Sequence, residues 1–193
     1  MQAGLRLPSY SLFAALLAAA GLPIYIHAPK FYVDEFGVSL AALGAVLFGL
    51  RLLDVVQDPL LGRLAEKTRD HRGLAVTIGC AVMAAAMIAL FAVPPLLPPL
   101  VWFGVTLTFV FSAFSFLTIN FYAQGVIKAD EITGKGHLRL ARWRESGALA
   151  GVCLASVAPV ALGAVMQQPF VGFAVGFAVL AMAAVIAMRT EWS

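Results

Sequence analysis

Residues 73–127 and 146–188 contain no Asp, Glu, Lys, Arg or His. A helix needs about 20 apolar residues to cross the hydrocarbon core, so each stretch holds two spans and a turn. Backbone in lipid must satisfy its own hydrogen bonds, which makes runs of this length α-helices. With 62% hydrophobic and 12% charged residues, the chain lies outside the range of soluble domains. The net charge of +3 is explained by membrane topology, and nucleic acid is not among the expected partners.

The pattern predicts an all-α, polytopic protein: one six-helix transmembrane bundle over residues 1–193, with spans near 8–27, 40–62, 74–93, 100–124, 140–163 and 170–188. A polar turn from Pro29 through Lys30, Asp34 and Glu35 to Ser39 follows the first span. The segment 63–73 is a basic connector. Pro94, Pro95, Pro98 and Pro99 stop the third helix, because proline lacks the backbone donor a helix needs. In the fifth span Gly147, Gly151 and Ala155 recur every four residues, a stripe for close helix packing.

Lys and Arg in short loops set the orientation. Arg6, four basic residues of the 63–73 connector, five between Lys128 and Arg144, and Arg189 account for eleven of the thirteen. Lys30 alone falls on the other side, and Arg51 lies within a span. Both termini are thus expected in the cytoplasm, in a multi-pass protein of the inner (cytoplasmic) membrane. The first apolar stretch runs into Pro-Lys-Phe-Tyr and has no small-residue cleavage site, so no removable signal is expected. Cys80 and Cys153 sit in apolar spans outside any metal or redox motif, and no cofactor is expected. His27, His71 and His137 fall at span ends or in connectors, with no Ser-His pair, metal motif or phosphate loop, so an enzyme is not expected. His27 is either a pH-sensitive group at the outer mouth or a plain interfacial histidine.

One segment breaks the apolar pattern: Leu50-Arg51-Leu52-Leu53-Asp54-Val55-Val56-Gln57-Asp58-Pro59-Leu60-Leu61-Gly62. Charges near a bilayer centre cost about 2.5–3.5 kcal/mol each on insertion scales, and they mark ion or substrate paths. On a helix, Asp54 and Asp58 share one face about 6 Å apart along the axis. At an effective dielectric near 20 two such charges repel by about 3 kcal/mol. A bound cation, Na⁺ or H⁺, or Arg51 has to relieve that repulsion. A purely structural alternative pairs Arg51 with Asp54 and ties Asp58 to another helix by a hydrogen bond. Pro59 should loosen the helix just beyond. In the fourth span Thr106, Thr108, Ser112, Ser115, Thr118 and Asn120 suit interhelical hydrogen bonding.

The runs Pro29-Lys30-Phe31-Tyr32, Gly37-Val38-Ser39-Leu40 and Arg51 to Gly62, together with Arg142-Trp143-Arg144-Glu145 before a Gly-rich helix, resemble the glycoside-pentoside-hexuronide:cation symporters. That family is the melibiose-permease branch of the major facilitator superfamily. The resemblance implies the first six-helix half, a 3+3 inverted repeat, of a transporter whose two halves rock around a midplane site. It implies a cation site at Asp54, Gln57, Asp58 and Ser115, with no metal beyond Na⁺ there. For the solute it implies positions Ala18, Thr118, Tyr122 and Arg142. Ala18 and Thr118 stand where the family has sugar-gripping aspartates, so the sugar half departs from type. Arg51, Gly62, Glu66, Lys67, Arg69, Arg72, Arg144 and Glu145 form the implied gating and charge-pair set.

The expectation is cation-coupled transport of a small polar solute, a sugar or glycoside among the candidates. The chain would work as a half-size transporter that forms a homodimer or pairs with a separately encoded second half. The competing expectation is a non-transporting subunit, or a remnant of a split symporter.

Overall fold

The computed structural model describes residues 7–130 and 136–192. Their regular elements are all helical: α1 (Leu7–Ala20), α2 (Leu22–Phe36), α3 (Leu40–Lys67), α4 (Arg72–Phe91), α5 (Pro99–Asp130), α6 (Gly136–Gly163) and α7 (Pro169–Met188), with a 3₁₀ turn at Arg69–His71. Helices α1 and α2 together make the first of six membrane-length spans. Arg6 and the connector segment 131–135, which carry part of the topology argument, lie outside the described residues.

The first span ends later than its charges suggest. Helix α2 runs on through Pro29, Lys30, Asp34 and Glu35, where a polar turn was expected. Lys30 Nζ donates to Asp34 Oδ2 at 2.7 Å, one helical turn on, which keeps both charges satisfied on the helix surface. Gly37 ends the helix in the left-handed region (φ 63°), a conformation that glycine adopts without steric cost. The interruption falls instead at Gly21, between α1 and α2. Helix α3 likewise outruns its apolar stretch, passing through Pro59 without a break and ending at Lys67.

Two aromatic clusters hold the ends of the bundle. Phe31, Phe91, Phe170 and Phe173 pack together at one end, where Phe91 and Phe170 stack at 5.4 Å. His27 belongs to that cluster: it is buried, lies edge-on to Phe170 and Phe173, and its Nε2 is 3.2 Å from the Ala155 carbonyl. That environment is a packing position and not an exposed outer mouth. At the other end Phe13 contacts both Phe121 and Trp192.

Helices α1 and α6 form the closest pair. Gly147 and Gly151 are buried, and a Cβ on either would collide with backbone, at the Ser11 and Ala15 carbonyls respectively. The small-residue stripe therefore brings the two backbones together, the usual solution where lipid offers no hydrophobic drive between helices. Helices α3 and α6 are the least covered. Within their most apolar windows only 11% and 22% of residues are buried, against 28–56% in the other spans. Each therefore keeps an open face.

Arg72, expected as a connector charge, is buried at the start of α4. Its Nη1 donates to Gln124 Oε1 at 2.5 Å, and Gln124 Nε2 donates to the Glu191 carbonyl at 2.6 Å. Residues 189–192 fold back over this end and bring Trp192 against Gly73. Removing the acceptor strands a buried guanidinium. Gln124→Ala is expected to lower stability by about 1.5–3 kcal/mol, read as earlier thermal unfolding in detergent, with Gln124→Glu restoring most of it.

Candidate functional site

The charged segment of α3 lies against α5, and the two helices meet through polar side chains at the level of residues 54–58 and 112–115. Ser115 Oγ donates to Asp58 Oδ1 at 2.6 Å. One turn earlier on α5, Ser112 Oγ donates to Gln57 Oε1 at 2.9 Å, and Gln57 Nε2 donates to Asp54 Oδ1 at 2.8 Å. The other oxygen of Asp54 accepts from Arg51 Nη1 at 3.1 Å. Two carboxylates, an amide and two hydroxyls thus form two neighbouring hydrogen-bonded sets, Arg51–Asp54–Gln57–Ser112 and Asp58–Ser115. Asp58 Oδ2 is the open acceptor of the set among the described residues.

Arg51 is held from above as well as from the side. Its guanidinium lies 4.6 Å from the Tyr25 ring centroid and 5.8 Å from that of Phe111, and those two rings stack at 4.9 Å. Cation–π contact steadies a charge whose side chain is 59% exposed, while that of Asp54 is only 16% exposed. A cavity of about 540 Å³ opens here, lined by Tyr25, Arg51, Asp54, Asp58, Phe111 and Ser115, with Gly21, Val55 and Phe114 completing the wall. The helix interruption at Gly21 borders this cavity.

Tyr25 and Phe111 were not singled out from the sequence, whereas Ser112 was among the fourth-span residues expected to hydrogen-bond between helices, as it does to Gln57. Ser112 shares a helix face with Ser115, three residues on. The two hydroxyls make different predictions. Ser115→Ala removes a direct partner of Asp58 and should weaken cation binding about fivefold in a Na⁺ titration; Ser115→Thr should retain it. Ser112→Ala, one hydrogen bond further out, should cost less.

A second cavity of about 230 Å³ adjoins the first, and Gly21 and Phe114 belong to the walls of both. It gathers Ala18, Thr118, Tyr122, Arg144 and Glu145. Arg144 lies over the Tyr122 ring at 4.5 Å and gives two hydrogen bonds to Glu145 Oε1, at 3.0 and 2.8 Å. Thr118 Oγ1 is buried without a partner among the described residues. Arg142 is exposed and outside this wall, so the arginine beside the aromatic is Arg144. Two residues along a helix rotate a side chain by about 200°, which carries it to the opposite face.

The remaining expected gating residues cluster where α3 ends. Glu66 and Arg69 pair at 3.6 Å with both side chains mostly exposed, a geometry of small energetic weight. Lys67 is the last residue of α3, and a Cβ at Gly62 would touch nothing within 4 Å. Nothing within the described residues needs glycine there.

The family model described as "MFS/sugar transport protein" matches residues 9–191. The inner membrane symporter YicJ of Escherichia coli (strain K12) is 26% identical over 169 residues, covering 83% of this chain and 36% of YicJ. The putative glycoside/cation symporter YagG of the same strain is 44% identical over 43 residues, 22% of this chain and 9% of YagG. The uncharacterized symporter YnaJ of Bacillus subtilis (strain 168) is 34% identical over 61 residues, 32% of this chain and 13% of YnaJ. The chain therefore spans about a third of the length of YicJ and less of the other two. No solved structure matches it.

Proposed function

The chain belongs to the MFS/sugar transport protein family, as a glycoside-pentoside-hexuronide:cation symporter-like member, and on that premise we propose that it carries the cation site and one wall of the solute site of a Na⁺-coupled symporter. The observation that carries this reading is that Asp54, Asp58 and Ser115 line one cavity, with Ser115 bonded to Asp58 and Gln57 and Ser112 bonded in line behind Asp54. A proton would need only the carboxylates. The neutral oxygen of Ser115 beside them favours a metal cation with oxygen ligands.

Arg51 holds one oxygen of Asp54 and so offsets part of the repulsion between the acids. Na⁺ entering at Asp58 Oδ2 takes Ser115 Oγ, Asp58 and Asp54 as ligands and neutralises the remaining negative charge. Arg51 is then free to lean further onto Tyr25 and Phe111. The solute occupies the adjoining cavity, where Tyr122 offers a ring face, Arg144 a charged donor and Thr118 a hydroxyl.

Rocking needs an opposing bundle. Arg51 and Asp58 are exposed on a membrane-spanning helix, and facing lipid would cost about 2.5–3.5 kcal/mol each. The open faces of α3 and α6 therefore belong against a second six-helix bundle across a wet cavity, either another copy or a bundle encoded elsewhere, with Lys67, Arg69 and Glu66 at its cytoplasmic rim. Native mass spectrometry in nanodiscs tests the self-pairing form. A two-copy species enriched by NaCl over choline chloride is expected, and a strict monomer in both salts contradicts self-pairing.

A further inference from the structure

We infer that the groove formed by α1, α6 and α7 holds one phospholipid with an anionic headgroup, its phosphate on Arg139 and an acyl chain along the groove. A cavity of about 790 Å³ opens there and shares no lining residue with the two cavities described above. Its lining is apolar apart from the Ser11 hydroxyl and the Trp143 indole. Such a wall leaves the polar groups of a hydrophilic solute unpaired and suits hydrocarbon. On α6 the lining residues Trp143, Gly147, Ala150, Leu154, Val157 and Ala161 recur at three- and four-residue spacing, which is one face of a helix. From Trp143 to Leu154 that face runs about 16 Å, half of the roughly 30 Å hydrocarbon core and so the reach of one leaflet's acyl chain. Four residues back from Trp143, just beyond the apolar lining, the same ladder reaches Arg139.

Charge complementarity selects the occupant. Arg139 is exposed and makes no ion pair among the described residues, whereas the acids of α6 and of the α5 end are engaged, Glu145 by Arg144 and Asp130 by His137. The groove therefore carries an unbalanced positive charge at one end and carbon along the rest, the layout of a phospholipid with its anion at the surface and its tail within. In the orientation that the Lys and Arg distribution predicts, this end meets the cytoplasmic leaflet, whose negative surface potential reflects anionic lipid. A guanidinium holds phosphate oxygens in pairs. Trp143, 40% exposed, stands at the headgroup boundary where indoles collect. A second six-helix bundle has a different face of α6 to meet. Leu149, Cys153 and Val160 are exposed, lie outside the cavity lining, and stand about 100° around the helix from the groove ladder. Lipid and bundle thus take separate faces.

Native mass spectrometry of the delipidated chain in detergent tests this with two lipids that differ only in headgroup, dioleoyl phosphatidylglycerol and dioleoyl phosphatidylcholine, offered at equal concentration. One phosphatidylglycerol per chain is expected to be retained, with a preference of about fivefold over phosphatidylcholine. Arg139→Gln should remove the preference, and Arg139→Lys should keep most of it. Arg142→Gln, about 100° around α6 from Trp143, and Arg63→Gln on α3 should leave it within about twofold. Ala150→Phe, which fills the groove from an exposed position, should reduce retention of both lipids. Equal retention of the two lipids by the unmodified chain, or a preference unmoved by Arg139→Gln, overturns the inference. Retention unmoved by Ala150→Phe overturns it as well, and loss of a two-copy species in that variant then assigns the groove to a second copy of the chain.

Discussion

Asp54→Asn is expected to abolish Na⁺ stimulation of solute uptake in proteoliposomes while leaving the bundle folded. Asp54 sits where three interactions meet: Arg51 on one oxygen, Gln57 on the other, and the cavity shared with Asp58. Asparagine keeps the size and one acceptor oxygen but removes the charge. A charge-assisted contact is worth up to about 3 kcal/mol, so Na⁺ affinity should fall about 100-fold. The loss also leaves Arg51 and Asp58 as a neutral pair, with nothing left for a cation to relieve. Asp34→Asn, which alters an exposed pair with Lys30 on α2, should leave Na⁺ dependence unchanged. Na⁺-stimulated uptake that survives Asp54→Asn would remove Asp54 from the site.

A large loss of stability is expected from Gly151→Ala. Helix α1 approaches so closely that even a methyl group meets the Ala15 backbone, and a backbone atom cannot rotate away as a side chain could. The helices must part, and packing lost along the α1–α6 contact should cost about 3 kcal/mol or more. Gly176→Ala is the matched control. A Cβ there meets nothing within 4 Å, so the substitution should stabilise α7 by about 0.5–1 kcal/mol through backbone entropy alone. Thermal unfolding in detergent reads both, and the two variants should move the midpoint in opposite directions.

The contrast between those glycines shows which features were legible in the sequence. The four-residue spacing of Gly147, Gly151 and Ala155 announces a packing face, because a repeat on one helix face is local information. The charged segment of α3 stands out in the same way, since Arg51, Asp54 and Asp58 interrupt an apolar span. Six spans followed from the charge-free stretches and the proline turns. Helix ends did not, because α2 and α3 carry their polar residues on the helix as it leaves the apolar region, where Lys30 and Asp34 satisfy one another.

What escaped depends on partners distant in the chain. Arg72 reads as a cytoplasmic charge until Gln124 and residues 189–192 close over it. Tyr25 and Phe111 become part of the larger cavity only because α2 and α5 bring their rings together around Arg51. The choice between Arg142 and Arg144 turns on which face of α6 is directed at Tyr122, and a run with arginines two apart leaves that register open. Thr118 was legible as a polar residue, but that its hydroxyl has no partner among the described residues appears only once the surrounding helices are in place.

Equilibrium binding of ²²Na⁺ to the purified chain in nanodiscs, with Asp54→Asn and Asp58→Asn measured beside it, is the most direct test of a cation site between α3 and α5. Saturable binding of one ion per chain, weakened about 100-fold by either substitution, is the predicted result. Saturable binding that neither substitution changes, or no saturable binding by the unmodified chain, would contradict it.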